Sequence, residues 1–99
     1  MGTELLAIGL NHQSASLSLR EKLAFPGEVL TKALADARKF LDPLAPEQAL
    51  LSTCNRTELY LAGSHGEQIV EKAESWLSEY AKYEVEELKK HLYLHRNND

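Results

Sequence analysis

The stretch Gln48-Ala49-Leu50-Leu51-Ser52-Thr53-Cys54-Asn55-Arg56-Thr57-Glu58-Leu59-Tyr60-Leu61-Ala62 decides the fold. Gln48 to Thr53 reads as one strand and Thr57 to Ala62 as the next. Only a few residues separate them, so the segment predicts a hairpin with Cys54-Asn55-Arg56 at or near its tip. Gly63-Ser64-His65-Gly66 follows as a turn, and Asp42-Pro43-Leu44-Ala45-Pro46 precedes as a loop in which two prolines stop whatever helix comes before.

Working outward, each flank repeats the same alternation. Upstream, Leu5-Leu6-Ala7-Ile8-Gly9-Leu10 is an apolar run of strand length, closed by the turn formers Asn11-His12-Gln13-Ser14. Ser18-Leu19-Arg20-Glu21 has the form of a capping box and predicts a short helix to about Phe25, where Pro26 interrupts. Val29, Leu30, Ala33, Leu34, Ala37, Phe40 and Leu41 then recur at helical spacing on one face. Downstream, Ile69, Val70, Ala73, Trp76, Leu77 and Tyr80 mark a long amphipathic helix. Glu84 to Lys90 reads as a further short helix, and Leu92-Tyr93-Leu94-His95 as a last strand. The order β-α-β-β-α-β predicts an α+β fold of the ferredoxin-like kind: a four-stranded antiparallel sheet with helices on one face and the first and third strands in its centre. Trp76 is expected to be the largest buried side chain. Such a fold hosts many functions, so it assigns none by itself.

Composition narrows the classes. The 99 residues suit a single domain or a piece of a larger protein, and 43% hydrophobic content argues against disorder. A net charge of -4 provides no basic field for non-specific nucleic-acid binding. One cysteine forms no internal disulfide, which fits a reducing cytoplasm. No apolar run reaches the ~20 residues of a membrane span. Met1-Gly2-Thr3-Glu4 lacks the basic start of a signal peptide, so a cytoplasmic location is expected. There is no G-x-G-x-x-G loop and hence no visible dinucleotide site.

The chemistry centres on Cys54. It stands where an apolar run turns polar, with Arg56 two positions on, and a fixed cation favours the thiolate that a nucleophile needs. In extended backbone, residues two apart share a face, so Cys54 and Arg56 are able to share a site. The Arg56 fork also matches a carboxylate bidentately, while Thr53 and Asn55 offer a hydroxyl and an amide to a substrate carbonyl or amine. The plainer alternative is that Cys54 fills space and Arg56 pairs with Glu58 on the surface. The histidines carry less: His12 and His65 read as solvated loop residues, and the spacing of His91 and His95 would bind a metal only on one helix, whereas Leu92-Tyr93-Leu94 reads as strand. No metal site is expected.

Ser52-Thr53-Cys54-Asn55-Arg56-Thr57-Glu58-Leu59-Tyr60 resembles the catalytic-cysteine signature of the glutamyl-tRNA reductases. Gly9-Leu10-Asn11-His12-Gln13-Ser14-Ala15, with Leu19-Arg20-Glu21-Lys22, is similar to the opening of that family, at the right distance. The resemblance covers essentially all 99 residues. It implies that Cys54 attacks the α-carbonyl of glutamate esterified to tRNA, leaving a thioester that NADPH reduces to glutamate-1-semialdehyde for tetrapyrrole (porphyrin and heme) synthesis. Arg56 would clamp the glutamate side-chain carboxylate, with Thr53 and Asn55 completing the substrate contacts. Family members are several times longer. The resemblance therefore implies that residues 1–99 are an N-terminal part of the catalytic domain, lacking the NADPH-binding domain and the domain through which the enzyme is expected to form a homodimer. The family's important histidine is expected just past Asp99, since His95 falls too early, and the fragment alone is not expected to reduce substrate. Two other classes compete: a non-enzymatic ligand- or regulator-binding module on the same scaffold, and a sheet-face RNA binder using Tyr60 and Tyr93, which the acidic balance disfavours.

Overall fold

The computed structural model describes residues 3–53 and 55–96. Eight elements follow in the order β1 (Glu4–Asn11), α1 (Leu17–Lys22), α2 (Gly27–Leu41), β2 (Glu47–Ser52), β3 (Arg56–Gly63), α3 (Gly66–Ala81), α4 (Val85–Lys89) and β4 (Tyr93–Arg96). The strands form one four-stranded sheet in the order β2-β3-β1-β4, antiparallel throughout. The helices pack on one of its faces, so the fold is α+β with ferredoxin-like topology, as the sequence predicts. The most apolar strand, β1, lies between β3 and β4 and is buried for that reason.

Strand periodicity separates the two faces. Leu6, Ile8 and Leu10 of β1 and Leu59 and Leu61 of β3 are buried toward the helices. They meet Ala33, Ala37 and Leu41 from α2, Ile69, Ala73, Trp76 and Leu77 from α3, and Leu88 from α4. Trp76 is only 5% exposed. Its ring stacks on Phe25 at 6.0 Å between centroids, and Tyr80 closes the cluster at 4.5 Å from Phe25. The opposite face, carrying Leu5, Ala7 and Gly9 of β1 and Arg56, Glu58 and Tyr60 of β3, is left open by the helices.

Two local expectations are corrected. Ser16, not Ser18, caps α1: its Oγ accepts from the Leu19 amide at 3.3 Å, and no capping box forms because the third helical residue is Leu19 rather than an acid. The helix also stops at Lys22 instead of running to Phe25. Leu23 and Phe25 turn their backbone polar groups to the β2–β3 hairpin, where the Leu23 carbonyl accepts from Thr57 and the Phe25 N–H donates to Ser52. In α2, Val29 is exposed, while Leu30 and Phe40 pack only partly against the core. That helix buries the narrower stripe Ala33, Ala37 and Leu41. Among the described residues no helix is long and apolar enough to cross a membrane.

Candidate active site

The hairpin pairs Ser52 with Thr57, leaving residues 53–55 as the connection between β2 and β3. Cys54, and with it the expected exposure of its thiol and its closeness to Arg56, lies outside the described residues. Its neighbours are well placed. The Thr53 N–H donates to the Arg56 carbonyl at 2.8 Å. The Thr53 hydroxyl accepts from the amides of Asn55 and Arg56, both at 3.2 Å. A threonine at the start of a tight connection can satisfy backbone donors in this way, and here it folds the chain back on itself.

The hairpin is braced from the helix side. Ser52 Oγ accepts from the Phe25 amide at 3.0 Å, and Thr57 Oγ1 donates to the buried Leu23 carbonyl at 2.7 Å. The two hydroxyls lie 3.4 Å apart. Ser52 and Thr57 thus fix the base of the connection to the segment between α1 and α2.

A second segment converges on the same end of the sheet. Asn11, the last residue of β1, is the register partner of Arg56. Its Oδ1 accepts from the amides of Gln13 and Ser14 at 2.9 and 3.0 Å, and Ser14 Oγ accepts from the Asn11 amide at 2.9 Å. His12 is exposed in this turn. His91 reaches it from the turn after α4, with Nδ1 3.1 Å from the Ser14 carbonyl oxygen. Asn11 and Arg56, one from each motif segment, are therefore neighbours across β1 and β3 at this end of the sheet.

Arg56 and Glu58 begin a polar row on the open face of β3. The Arg56 side chain is 52% exposed, and its Nε lies 3.9 Å from Glu58 Oε1. Glu58 itself is only 8% exposed. The pairing of the plainer sequence reading is thus present, but with a buried carboxylate rather than a surface one. Two phenols hold that carboxylate: Tyr60 donates to Oε1, and Tyr93 of β4 donates to Oε2 at 2.5 Å. Burial pushes the Glu58 carboxyl up. The hydrogen bonds from Tyr60 and Tyr93 and the charges of Arg56 and His95 outweigh it and hold the group below the ordinary carboxylate value. Burial first, then the bond to Glu58, raises the Tyr93 phenol strongly. The bond to Glu58 first, then burial, raises that of Tyr60.

Tyr93 and His95 lie two apart on β4, with ring centroids 5.3 Å apart. His91 and His95 do not share a helix, and among the described residues no group of three His, Cys, Asp or Glu side chains is arranged to hold a metal ion. Beyond Tyr60 the open face continues as a groove of about 490 Å³ lined by Leu5, Ala7, Ala49, Ala62 and His95. An Arg56–Glu58 pair and Tyr60 with Tyr93 on the sheet face are among the readings the sequence offers; the closure of both phenols on the Glu58 carboxylate and the Ser52–Thr57 brace are not. The period-two spacing of Arg56, Glu58 and Tyr60 was the available signal for the first, while the second depends on a contact with a distant loop.

The fold and this end of the sheet define a ferredoxin-like domain in which Arg56, just after the β2–β3 connection, stands beside the buried acid Glu58. Residues 8–99 match the family model described as "Glutamyl-tRNAGlu reductase, N-terminal domain". The match spans well over half of the chain, and the chain belongs to that family.

Proposed function

We propose that this chain is the N-terminal part of the catalytic domain of an NADPH-dependent glutamyl-tRNA reductase, and that Cys54 is its nucleophile. The thiolate sulfur would attack the ester carbonyl of glutamyl-tRNA. A new C–S bond forms, the C–O bond to the terminal ribose breaks, and that oxygen leaves with the electron pair and takes up a proton. Covalent catalysis of this kind divides a hard reduction of an ester into two easier steps. Arg56 would bind the substrate's side-chain carboxylate with its planar fork, and Thr53 and Asn55 would contact the glutamyl group beside it.

This chain has no glycine-rich dinucleotide loop, so it does not fit NADPH. The hydride donor and the homodimer contacts are assigned to other domains of a longer cytoplasmic enzyme of tetrapyrrole synthesis.

The observation that supports this reading best is the family match over residues 8–99 together with the convergence of its two motif segments at one end of the sheet. The test is intact-mass analysis of the full-length reductase mixed with glutamyl-tRNA in the absence of NADPH. A glutamyl adduct on Cys54 is expected, and Cys54→Ser should abolish both the adduct and reduction. Arg56→Lys should lower kcat/KM substantially, since a point charge does not reproduce the bidentate fork. Full reductase activity in Cys54→Ser would overturn the assignment.

A further inference from the structure

Glu58 has no part in the chemistry above, yet it is the most carefully held side chain on the open face. An ionised carboxylate taken out of water is costly unless its oxygens are satisfied. Here each oxygen receives a phenolic hydroxyl, one from its own strand and one from β4. Arg56 forms an ion pair with it through Nε, and the charge of His95 acts on it from β4. At 3.9 Å this is an ion pair without a hydrogen bond; with Nε turned toward Glu58, the two terminal NH2 groups are left as a planar pair of donors, the geometry that binds a second carboxylate bidentately. The Arg56 side chain remains half exposed, so that end is accessible to a ligand.

We propose that Glu58 is a positioning residue: clamped by Tyr60 and Tyr93, it fixes the guanidinium of Arg56 so that the terminal NH2 groups face the side-chain carboxylate of the glutamyl substrate. This inference deepens the function proposed above and rests on its assignment of Arg56. Tyr93 ties the device to β4, so substrate selection at the hairpin depends on the far edge of the sheet. His95 supports it by packing against the Tyr93 ring.

Electrostatics alone makes the opposite prediction, which gives the test its power. Removing an anion beside an arginine should strengthen the attraction of that arginine for a carboxylate. Only loss of orientation can weaken it. The experiment compares kcat/KM of the full-length reductase for glutamyl-tRNA and for the same tRNA charged with glutamine, in wild type, Glu58→Gln, Tyr93→Phe, Arg56→Ala and the Glu58→Gln/Arg56→Ala double variant. The expected result is a fall of about tenfold or more in the preference for glutamate in Glu58→Gln, as for loss of an oriented polar contact to substrate. A smaller fall is expected in Tyr93→Phe, and no further fall when Glu58→Gln is added to Arg56→Ala.

The same sign is expected in a substrate-free probe. Alkylation of Cys54 by iodoacetate, relative to iodoacetamide, should decrease in Glu58→Gln and Tyr93→Phe. An unchanged or increased preference for the anionic ligand in folded Glu58→Gln overturns the proposal, and if that variant fails to fold, the same outcome in Tyr93→Phe does so. Retained glutamate preference in Arg56→Ala would instead overturn the assignment of Arg56 itself.

Discussion

Gly9 offers the sharpest test of the packing that supports the site. It is the register partner of Glu58 across the two central strands. A Cβ added there would stand 2.2 Å from the Thr57 carbonyl oxygen, 2.9 Å from Glu58 Cα and 3.0 Å from Glu58 Cγ. A comfortable carbon–oxygen contact needs about 3.3 Å, so the strands would have to part by roughly 1 Å. The nearest obstacle is backbone, and β2 and β4 flank the pair on either side, so no side-chain rotation relieves it. Overpacking of this kind costs about 1–3 kcal/mol, and the backbone clash places Gly9→Ala near the upper end. The intrinsic gain of alanine over glycine inside a strand offsets about 0.5–1 kcal/mol of it, leaving a net loss of about 2 kcal/mol. For a domain of this size that corresponds to a fall in melting temperature of roughly 8–16 °C.

The assay is thermal unfolding followed by circular dichroism, with Gly27→Ala as the paired control. A Cβ at Gly27, the first residue of α2, meets nothing within 4 Å. That variant should leave the midpoint unchanged or raise it slightly, as expected where alanine fits the native backbone. A Gly9→Ala midpoint within about 3 °C of wild type, less than ~1 kcal/mol on this scale, would refute the argument.

Three further outcomes follow from the same structure. Both phenols on Glu58 are raised above the ordinary tyrosine value of 10.0, so the stability they contribute is complete below about pH 10 and is lost as pH rises beyond it, when a tyrosinate would face the Glu58 carboxylate. The alkaline fall in the urea midpoint should therefore flatten in Tyr93→Phe. Glu58 itself is lowered from 4.5, so its contribution is present above that pH and lost on acidification; Glu58→Gln should flatten the acid limb. In the core, Trp76→Ala removes the ring that packs against Phe25 and Tyr80 and should cost about 3–5 kcal/mol, read as a lowered denaturation midpoint.

The sheet was legible because its signals are local. Leu5–Leu10 is too short and too uniformly apolar for a surface helix, and two strand-like runs with three residues between them leave little choice but a hairpin. The start of α1 departs from the capping-box pattern because Ser16 and Ser18 both precede leucines, and only the backbone path decides which hydroxyl meets a free amide. The end of α1 departs from the expected boundary for a different reason. Leu23 and Phe25 continue the apolar pattern of a helix, but the hydroxyls of Thr57 and Ser52, more than 25 residues downstream, claim their backbone groups. Tertiary hydrogen bonds of that kind override periodicity without leaving a mark on it.

The site divides along the same line. Period two places Arg56, Glu58 and Tyr60 on one face of β3 and is visible in the sequence. Whether that face meets water or helices depends on which face the apolar residues bury, and Leu59 and Leu61 answer it. The second phenol was not visible, because Tyr93 approaches Glu58 across the unsubstituted backbone of Gly9, its own register partner. Gly9 is thus the residue on which the arrangement turns. It separates β3 from β4 in the sheet, carries no side chain between their two open-face groups, and lets an acid on one strand be held by a phenol on the other. A substitution there would widen the strand pair and stand between Glu58 and Tyr93 together, so the stability loss in Gly9→Ala should come with loss of the alkaline limb that Tyr93 provides. A destabilised Gly9→Ala that kept the full alkaline transition of wild type would show that the clash is absorbed elsewhere and that the phenol reaches the carboxylate regardless of Gly9.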